Sequence, residues 1–460
     1  MFKVAICNRG AAAARLVRTI REMGCKSIVL CSEADQDLPY VKKADEFAVI
    51  GPPPPKDSYL NQEAVIQAAL AAKAEALHPG WGFLAENAAF ARKAADNHLI
   101  FIGPSPKFLE IMGHKVSARD EMVKLGLPVA PSTGELSGTI SEMAETAAQI
   151  GFPLLIKPAG GGGGIGMTPA ESREKLEKAL ETAQNLAQRS FGSASLYAER
   201  LLTNPRHVEF QIVADRLGTC VHLGERDCSV QRRRQKILEE AGAPNLAPAE
   251  VAAMAAKAAE VMARIGYDSL GTVETLYSPE TGFSFLEVNP RLQVEHGVTE
   301  EIAGLDLVEA QLTAARGESV GDLLKRAQAN APGGHALEAR IYAEDSLRFF
   351  PSPGRLSVFR PPKAQKGRVR VETGYAEGST VTPFYDPMMA QVIVHGQDRQ
   401  EAIALMEEAL AAFEIAGVKS NVSFLRLMLR SPKYLEGAVN VSLAEELVKS
   451  PEYKADLEAL

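Results

Sequence analysis

The 460-residue chain is 46% hydrophobic and 23% charged, an ordinary globular balance with room for roughly three domains at ~150 residues each. Its 50 Lys and Arg against 58 Asp and Glu leave a net charge of −8, which argues against holding nucleic acid or a membrane surface through bulk charge. Cys7, Cys25, Cys31, Cys220 and Cys228 form no CxxC and read as free thiols of a reducing compartment; with no bilayer-length apolar run and no signal peptide, the chain is expected to be cytoplasmic.

The N-terminal region alternates strands and helices. Lys3 to Cys7 is a short apolar strand, Asn8-Arg9-Gly10 a turn, Ala11 to Met23 a helix stopped by Gly24, and Ser27 to Cys31 the next strand. Such alternation predicts a parallel sheet with helices on both faces. Gly51 to Lys56 is a rigid loop, and the loop His78 to Phe83 opens a helix over Glu86 to Asn97. A second region holds a strand at Pro153 to Lys157, a run of glycines at 160–164, a polar helix over Glu171 to Gln188 and a strand at Leu196 to Arg200. From His207 the pattern is strand-rich: Val208 to Val213 and Cys220 to Glu225 are expected to pair, and Thr272 to Tyr277 with Phe283 to Val288 to form a hairpin. An Ala-rich helix over Pro248 to Ile265 separates them. After a linker near residues 331–334 come further strands, a helix over Arg399 to Phe413 and a helical tail.

Four groups of residues point to chemistry. The five glycines offer bare N–H groups to an anion, and Lys157 just before them can meet phosphate; the alternative is a flexible linker. Glu274 and Glu287 stand in apolar strands, with Asn289 on the same face as Glu287, an all-oxygen set suited to Mg²⁺ or Mn²⁺. The alternative is a sheet with one wet face. Pairing Glu274 with Glu287 needs a one-residue bulge, placed near Gly282. Period-2 spacing puts Arg291, Gln293 and Glu295 on one side, where an Arg fork and a carboxylate suit a small planar anion such as bicarbonate; a surface salt-bridge ladder is the alternative. Finally, four cations in residues 232–236 call for an anionic neighbour. Polyphosphate fits, and RNA is disfavoured because no aromatics interleave. His78, His296 and His335 lack zinc-ligand spacing, and no GxSxG nucleophile elbow occurs.

Taken together, Asn8-Arg9-Gly10, His78 to Leu84, Ile156-Lys157 with the glycine loop, Asn204 to Glu209, Glu225 to Ser229, Gln235-Lys236, Glu239-Glu240, Glu287 to His296, Ala339 to Asp345 and Tyr385 to Met388 resemble biotin carboxylase of the ATP-grasp superfamily. The resemblance implies an α/β fold in three parts. These are an N-terminal doubly wound parallel-sheet domain (1–113), an ATP-grasp domain (114–330) with a mobile glycine-rich lid at about 129–203, and a C-terminal α+β domain (331–446) followed by a tail (447–460).

It also implies an activity: ATP phosphorylates bicarbonate to carboxyphosphate, and biotin is carboxylated at its ureido nitrogen. By the same resemblance Glu295 deprotonates bicarbonate, held by Lys236, Arg291, Gln293 and the Val294 backbone, and Arg340 stabilises the biotin enolate. Glu274 and Glu287, with Asn289, bind Mg²⁺ (or Mn²⁺). Lys115, Lys157, His207, Gln231 and the glycines Gly161, Gly162, Gly163 and Gly164 meet ATP, with Glu199 to Leu202 and Leu276 lining the adenine pocket. A homodimer is implied, as are partners: a carrier protein bearing biotin, because the family's Ala-Met-Lys-Met sequence is missing, and a carboxyltransferase that chooses the final acceptor. The chain departs from the family at Ala11, Trp81, His114, Ile165, Arg234, Gly297 and Gln391, where Glu, Tyr, Asp, a basic residue, His or Asn, Pro and Lys are usual. Rival readings are another ATP-grasp ligase and a non-catalytic nucleotide-binding paralogue.

Overall fold

The computed structural model describes residues 1–159 and 166–459, without the side chains of Lys115 and Val116. Five parallel strands make the first sheet, in spatial order Glu46–Val49, Lys26–Cys31, Lys3–Ile6, Ala76–His78, Ile100–Phe101. The order reverses between Lys3–Ile6 and Ala76–His78. A crevice opens beyond the C-terminal ends of strands at such a switch point. The two loops there are tied together: Asn8 Nδ2 donates to the carbonyls of Pro79 (2.6 Å) and Trp81 (2.7 Å). Gly10 starts the helix Gly10–Glu22 at φ +60°, a conformation that favours glycine, and a Cβ on Gly374 would stand 2.6 Å from its backbone. Ala11, Ala12, Leu16 and Ile20 bury the helix against the sheet.

A small antiparallel sheet of Thr168–Ala170, Leu154–Pro158 and Leu196–Arg200 carries the helices Ile140–Ala148 and Arg173–Phe191. It has its own core, including Leu154, Ile156, Leu176 and Leu180. The segment Gly160–Ile165, with the predicted nest of Gly161, Gly162, Gly163 and Gly164, lies outside the described residues.

The third sheet positions the site. Eight antiparallel strands run in the order Gly282–Asn289, Leu270–Ser278, Arg206–Ala214, Cys220–Arg232, Gln235–Ala241, His335–Tyr342, Met388–Gly396, Val369–Thr373. The helix Pro248–Arg264 covers the strand Cys220–Arg232, burying Met254, Ala255, Ala258 and Met262. The predicted hairpin forms, and Glu274 does pair with Glu287. The bulge, however, is at Leu286, between the pairs Glu274–Glu287 and Thr275–Phe285, and not near Gly282. Gly282 pairs with Ser278 in a tight turn at φ +68°, so the extra residue is absorbed inside the strand. Among the described residues no helix is long and apolar enough to cross a membrane.

Candidate active site

Strand register sets out a row of charge across four strands: Glu287 faces Glu274, Glu274 faces Glu209, and Glu209 faces Arg226. Directly opposed like charges destabilise a sheet unless cations intervene. They do. Arg226 Nε donates to Glu209 Oε1 at 2.6 Å, and Lys236 Nζ donates to Glu209 (2.6 Å), Glu274 (2.7 Å) and Glu295 (2.7 Å). Burial opposes a charged Lys236, but Glu209, Glu274 and Glu295 outweigh it and hold the ammonium well above its ordinary range. Burial pushes Glu274 and Glu295 up, and is overcome by Lys236 in both, with His207 at Glu274 and Arg340 at Glu295; both carboxyls lie well below the usual range. Burial prevails at Glu209, which is raised despite Lys236 and Arg226.

Glu295 stands just before the helix His296–Ala303 and is the pivot of the cluster. One oxygen accepts from Lys236 and the other from Arg340 Nη2 at 2.7 Å. The segment 290–295 is a turn-containing loop and not a strand, so the period-2 premise fails. Side-chain contact still joins most of the predicted set: Arg291 Nη1 donates to Gln293 Oε1 (3.0 Å) and Nη2 to Asn289 Oδ1 (3.4 Å), and Arg291 also pairs with Glu86. Among the described residues Gln293 Nε2 is buried without an acceptor, an N–H available to an anion. The Val294 carbonyl accepts from Gln391 Nε2 at 2.7 Å. Burial pushes the His296 ring down to about 4, so it is neutral at pH 7. It contacts Arg15 (3.2 Å) and the carbonyl of Gln293.

The basic run is partly corrected. Lys236, as above, and Arg232, which pairs with Glu344 at 2.5 Å and lies over the Phe349 ring, meet carboxylates of the chain itself. Folding, not composition, supplies those anions.

The predicted nucleotide residues fall in two places. His207 Nε2 lies 3.1 Å from Glu274 Oε2, and its Nδ1 is 2.8 Å from Gln231 Nε2; Leu276 is the strand partner of His207. Lys157, buried, and Glu199, half-buried, form an ion pair on the small sheet, with Leu202 two residues beyond its strand. Phe285 N–H donates to the Pro128 carbonyl at 2.6 Å, joining the small-sheet region to the hairpin that carries Glu287. Burial, then Glu199 and Glu287, push the Tyr197 hydroxyl up, so both carboxylates act on one phenol. Lys115 opens the helix Lys115–Lys124, and its side chain lies outside the described residues. The donor set Glu274, Glu287 and Asn289 suits a hard divalent cation: opposed strand residues hold their Cβ atoms ~5 Å apart, within reach of one ion.

A pocket of about 400 Å³ opens between the crevice of the parallel sheet and the end of the charged row, lined by residues including Arg9, Trp81, Phe83, Val294, Arg340 and Tyr385. Arg9 is locked by Asp35 (2.7 and 2.9 Å) and lies 4.3 Å from the centre of the Tyr385 ring. Glu209, Arg226, Arg9 and Tyr385 carry no predicted role. Glu209 bears the same signal that exposed Glu274, a lone carboxylate in an apolar strand.

Comparison with known proteins agrees with this arrangement. Residues 1–109 match the biotin carboxylase N-terminal domain, 114–323 the carbamoyl-phosphate synthase L chain ATP-binding domain, and 338–446 the biotin carboxylase C-terminal domain. Biotin carboxylase 2 of Bacillus subtilis is 46% identical over 450 residues, covering 96% of this chain and 99% of that protein. The crystal structure of a biotin carboxylase–β,γ-ATP complex from Campylobacter jejuni superposes with a TM-score of 0.92 at 38% identity, covering 96% of this chain and 98% of that one. The biotin carboxylase domain dimer of Hydrogenobacter thermophilus 2-oxoglutarate carboxylase, solved with MgADP, ADP and bicarbonate, gives 0.91 at 37% identity, over 96% and 97% of the two chains. By sequence and by fold, this chain belongs to the biotin carboxylase family.

Proposed function

We propose that the chain is the ATP-dependent biotin carboxylase component of a biotin-dependent carboxylase, acting on biotin held by a separate carrier protein. The observation that carries this reading is Glu295 held at 2.7 Å by both Lys236 and Arg340, beside a pocket of about 400 Å³. An ionised carboxylate there can take the proton of bicarbonate, and Arg291, Gln293, Lys236 and the Val294 backbone hold the anion. The freed oxygen attacks the γ-phosphoryl of ATP and ADP leaves. Carboxyphosphate then breaks down to CO2 and phosphate, the released phosphate takes the ureido N–H proton, and the biotin nitrogen so freed takes up the CO2. Arg340 sits on the pocket wall, where a guanidinium meets the enolate oxygen that develops on biotin.

Lys157, Lys115, His207 and Gln231 meet the nucleotide phosphates or ribose, Glu199, Leu202 and Leu276 the adenine, and the glycines 161–164 close over the phosphates as part of a lid at about 129–203. Glu274, Glu287 and Asn289 would hold Mg²⁺, which would supply neutralisation of phosphate charge. Segments 1–113, 114–330 and 331–446 act as the three working parts. A homodimer, a carboxyltransferase partner and a cytoplasmic setting complete the reading. The dimeric relative and the five free cysteines support it.

The direct test is ADP release, expected to require bicarbonate and to rise when free biotin is added. Release indifferent to both would remove the reading. The metal assignment is checked separately. Glu274→Gln and Glu287→Gln are each expected to raise the Mg²⁺ concentration needed for half-maximal ATP hydrolysis and to lower turnover. An unchanged Mg²⁺ dependence in both would make them ordinary strand carboxylates. Trp81 is the sole tryptophan, lines the pocket, and lies 5.8 Å from the His296 ring. Its fluorescence is expected to change on titration with free biotin in wild type and the signal to vanish in Trp81→Phe; a flat titration would place biotin elsewhere.

A further inference from the structure

Three neighbouring strands of the large sheet place Glu239 directly opposite Glu338, and Arg340 directly opposite Gln391. Glu338 and Arg340 are two apart on one strand and share a face. Glu239, Glu338 and Gln391 are fully buried, and donors among them are scarce. Gln391 Nε2 donates to Glu338 Oε1 at 2.6 Å and to the Val294 carbonyl at 2.7 Å. Arg340 Nε stands 2.6 Å from Glu239 Oε1, but without hydrogen-bond geometry. Among the described residues, then, neither oxygen of Glu239 nor Oε2 of Glu338 accepts a hydrogen bond, and the Arg340 contact at Glu239 is an ion pair alone.

Two such carboxylates cannot both stay ionised cheaply. The cations acting on them are Arg340 on the Glu338 strand and Lys236 on the Glu239 strand; Lys236 is already bonded to three carboxylates, and Arg340 is shared with Glu295. Glu295 and Glu209 add negative charge from the loop and the strand beyond. The helix His296–Ala303 closes the space: a Cβ on its Gly297 would lie 3.3 Å from Glu338 Oε2 and 2.4 Å from Ile393 Cδ1. The occupant must be small, and opposed strand residues, with Cβ atoms ~5 Å apart, are within reach of a common proton.

We propose that Glu239 and Glu338 share one proton at neutral pH and are positioning residues for Arg340, the pair's single negative charge orienting the guanidinium through Glu239 while Nη2 remains on Glu295. This rests on the reading of Arg340 as the residue that meets biotin. Burial, reinforced by Glu239, raises Glu338 well above the carboxylate range, and burial pushes Glu239 up to about 7 against Arg340. Loss of the proton leaves a dianion that draws Arg340 toward Glu239 and off Glu295. Biotin carboxylation then declines on the alkaline side of neutrality, in kcat and not in the KM for ATP.

Infrared difference spectra in H2O and D2O at neutral pH test the shared proton without using activity. Wild type is expected to show the C=O stretch of a buried protonated carboxyl, shifted in D2O. The band is expected to be lost in Gln391→Lys, where an ammonium replaces the amide beside Glu338, and in Glu338→Gln. In Gln391→Lys the alkaline limb of the pH–kcat profile is expected to move up by about one pH unit, because a cation now does the proton's work. A wild type without the band, or a band unchanged in whichever variant folds, overturns the proposal. Wild-type ADP release that ignored biotin, with the band behaving as expected, would sink the function and leave the shared proton standing.

Discussion

Glu295→Gln is expected to lower biotin-dependent turnover by ~100-fold or more, because the amide keeps the shape of the side chain and loses its basicity. The carboxylate is buried, accepts from Lys236 and Arg340 at 2.7 Å each, and is held well below the ordinary carboxylate range, so it is ionised at pH 7. The same ionisation makes the site sensitive to acid. A carboxyl with a lowered folded value contributes stability that is fully present above its unfolded value of about 4.5 and is lost as the pH falls through the folded one. Glu274 behaves alike, so the two carboxylates lose their contribution together below pH 4.5. Steady-state carboxylation by Glu295→Gln and Glu295→Asp makes the check. Aspartate retains the base but shortens its reach, and is expected to fall between Gln and wild type. Near wild-type turnover in Glu295→Gln would remove the general-base role.

Lys236→Met is expected to damage folding and catalysis together. The ammonium is the common partner of Glu209, Glu274 and Glu295, and its removal leaves three buried carboxylates facing one another. Removing one partner of a buried ion pair costs ~3–5 kcal/mol, and Arg226 and Arg340 offset only part of that. Loss of a preorganised cation at an anion site lowers turnover by ~100-fold or more. Denaturant unfolding and carboxylation assays on the same preparation separate the effects. Lys236→Arg retains the charge and is expected to restore most of the stability but less of the activity, since a planar fork cannot reach three carboxylates as an ammonium does. Unchanged stability in Lys236→Met would mean that the carboxylates are already neutral and that Lys236 does not balance their charge.

How much of this was legible in the sequence depended on how local the signal was. Strand-helix alternation through residue 110 reports a parallel sheet because each element is one run of residues, and the helices Gly10–Glu22 and Pro248–Arg264 each end two residues before the glycine, Gly24 or Gly266, that marks the stop. Glu274 and Glu287 stood out as lone carboxylates in apolar strands, and their pairing requires an extra residue. The placement of that residue at Leu286 did not follow, since a bulge can sit anywhere along a ladder while preserving the far register. Arg291, Gln293 and Glu295 were grouped by a strand period that does not exist; the loop folds Arg291 onto Gln293 by side-chain contact instead. The partners of Lys236 and Arg232 lie 27 to 112 residues away, so local reading found the cations and assigned their anions to a ligand. Gln391 showed as a departure from the family, but that it faces the buried pair Glu239 and Glu338 is a matter of three-strand register alone.

Fixation of isotopically labelled bicarbonate into free biotin tests the central reading most directly, because it observes the new carboxyl group rather than ATP consumption. Wild-type protein with Mg-ATP is expected to form acid-labile labelled carboxybiotin, dependent on ATP and lost in Glu295→Gln. ATP turnover without any label in biotin, or equal labelling by wild type and Glu295→Gln, would contradict it.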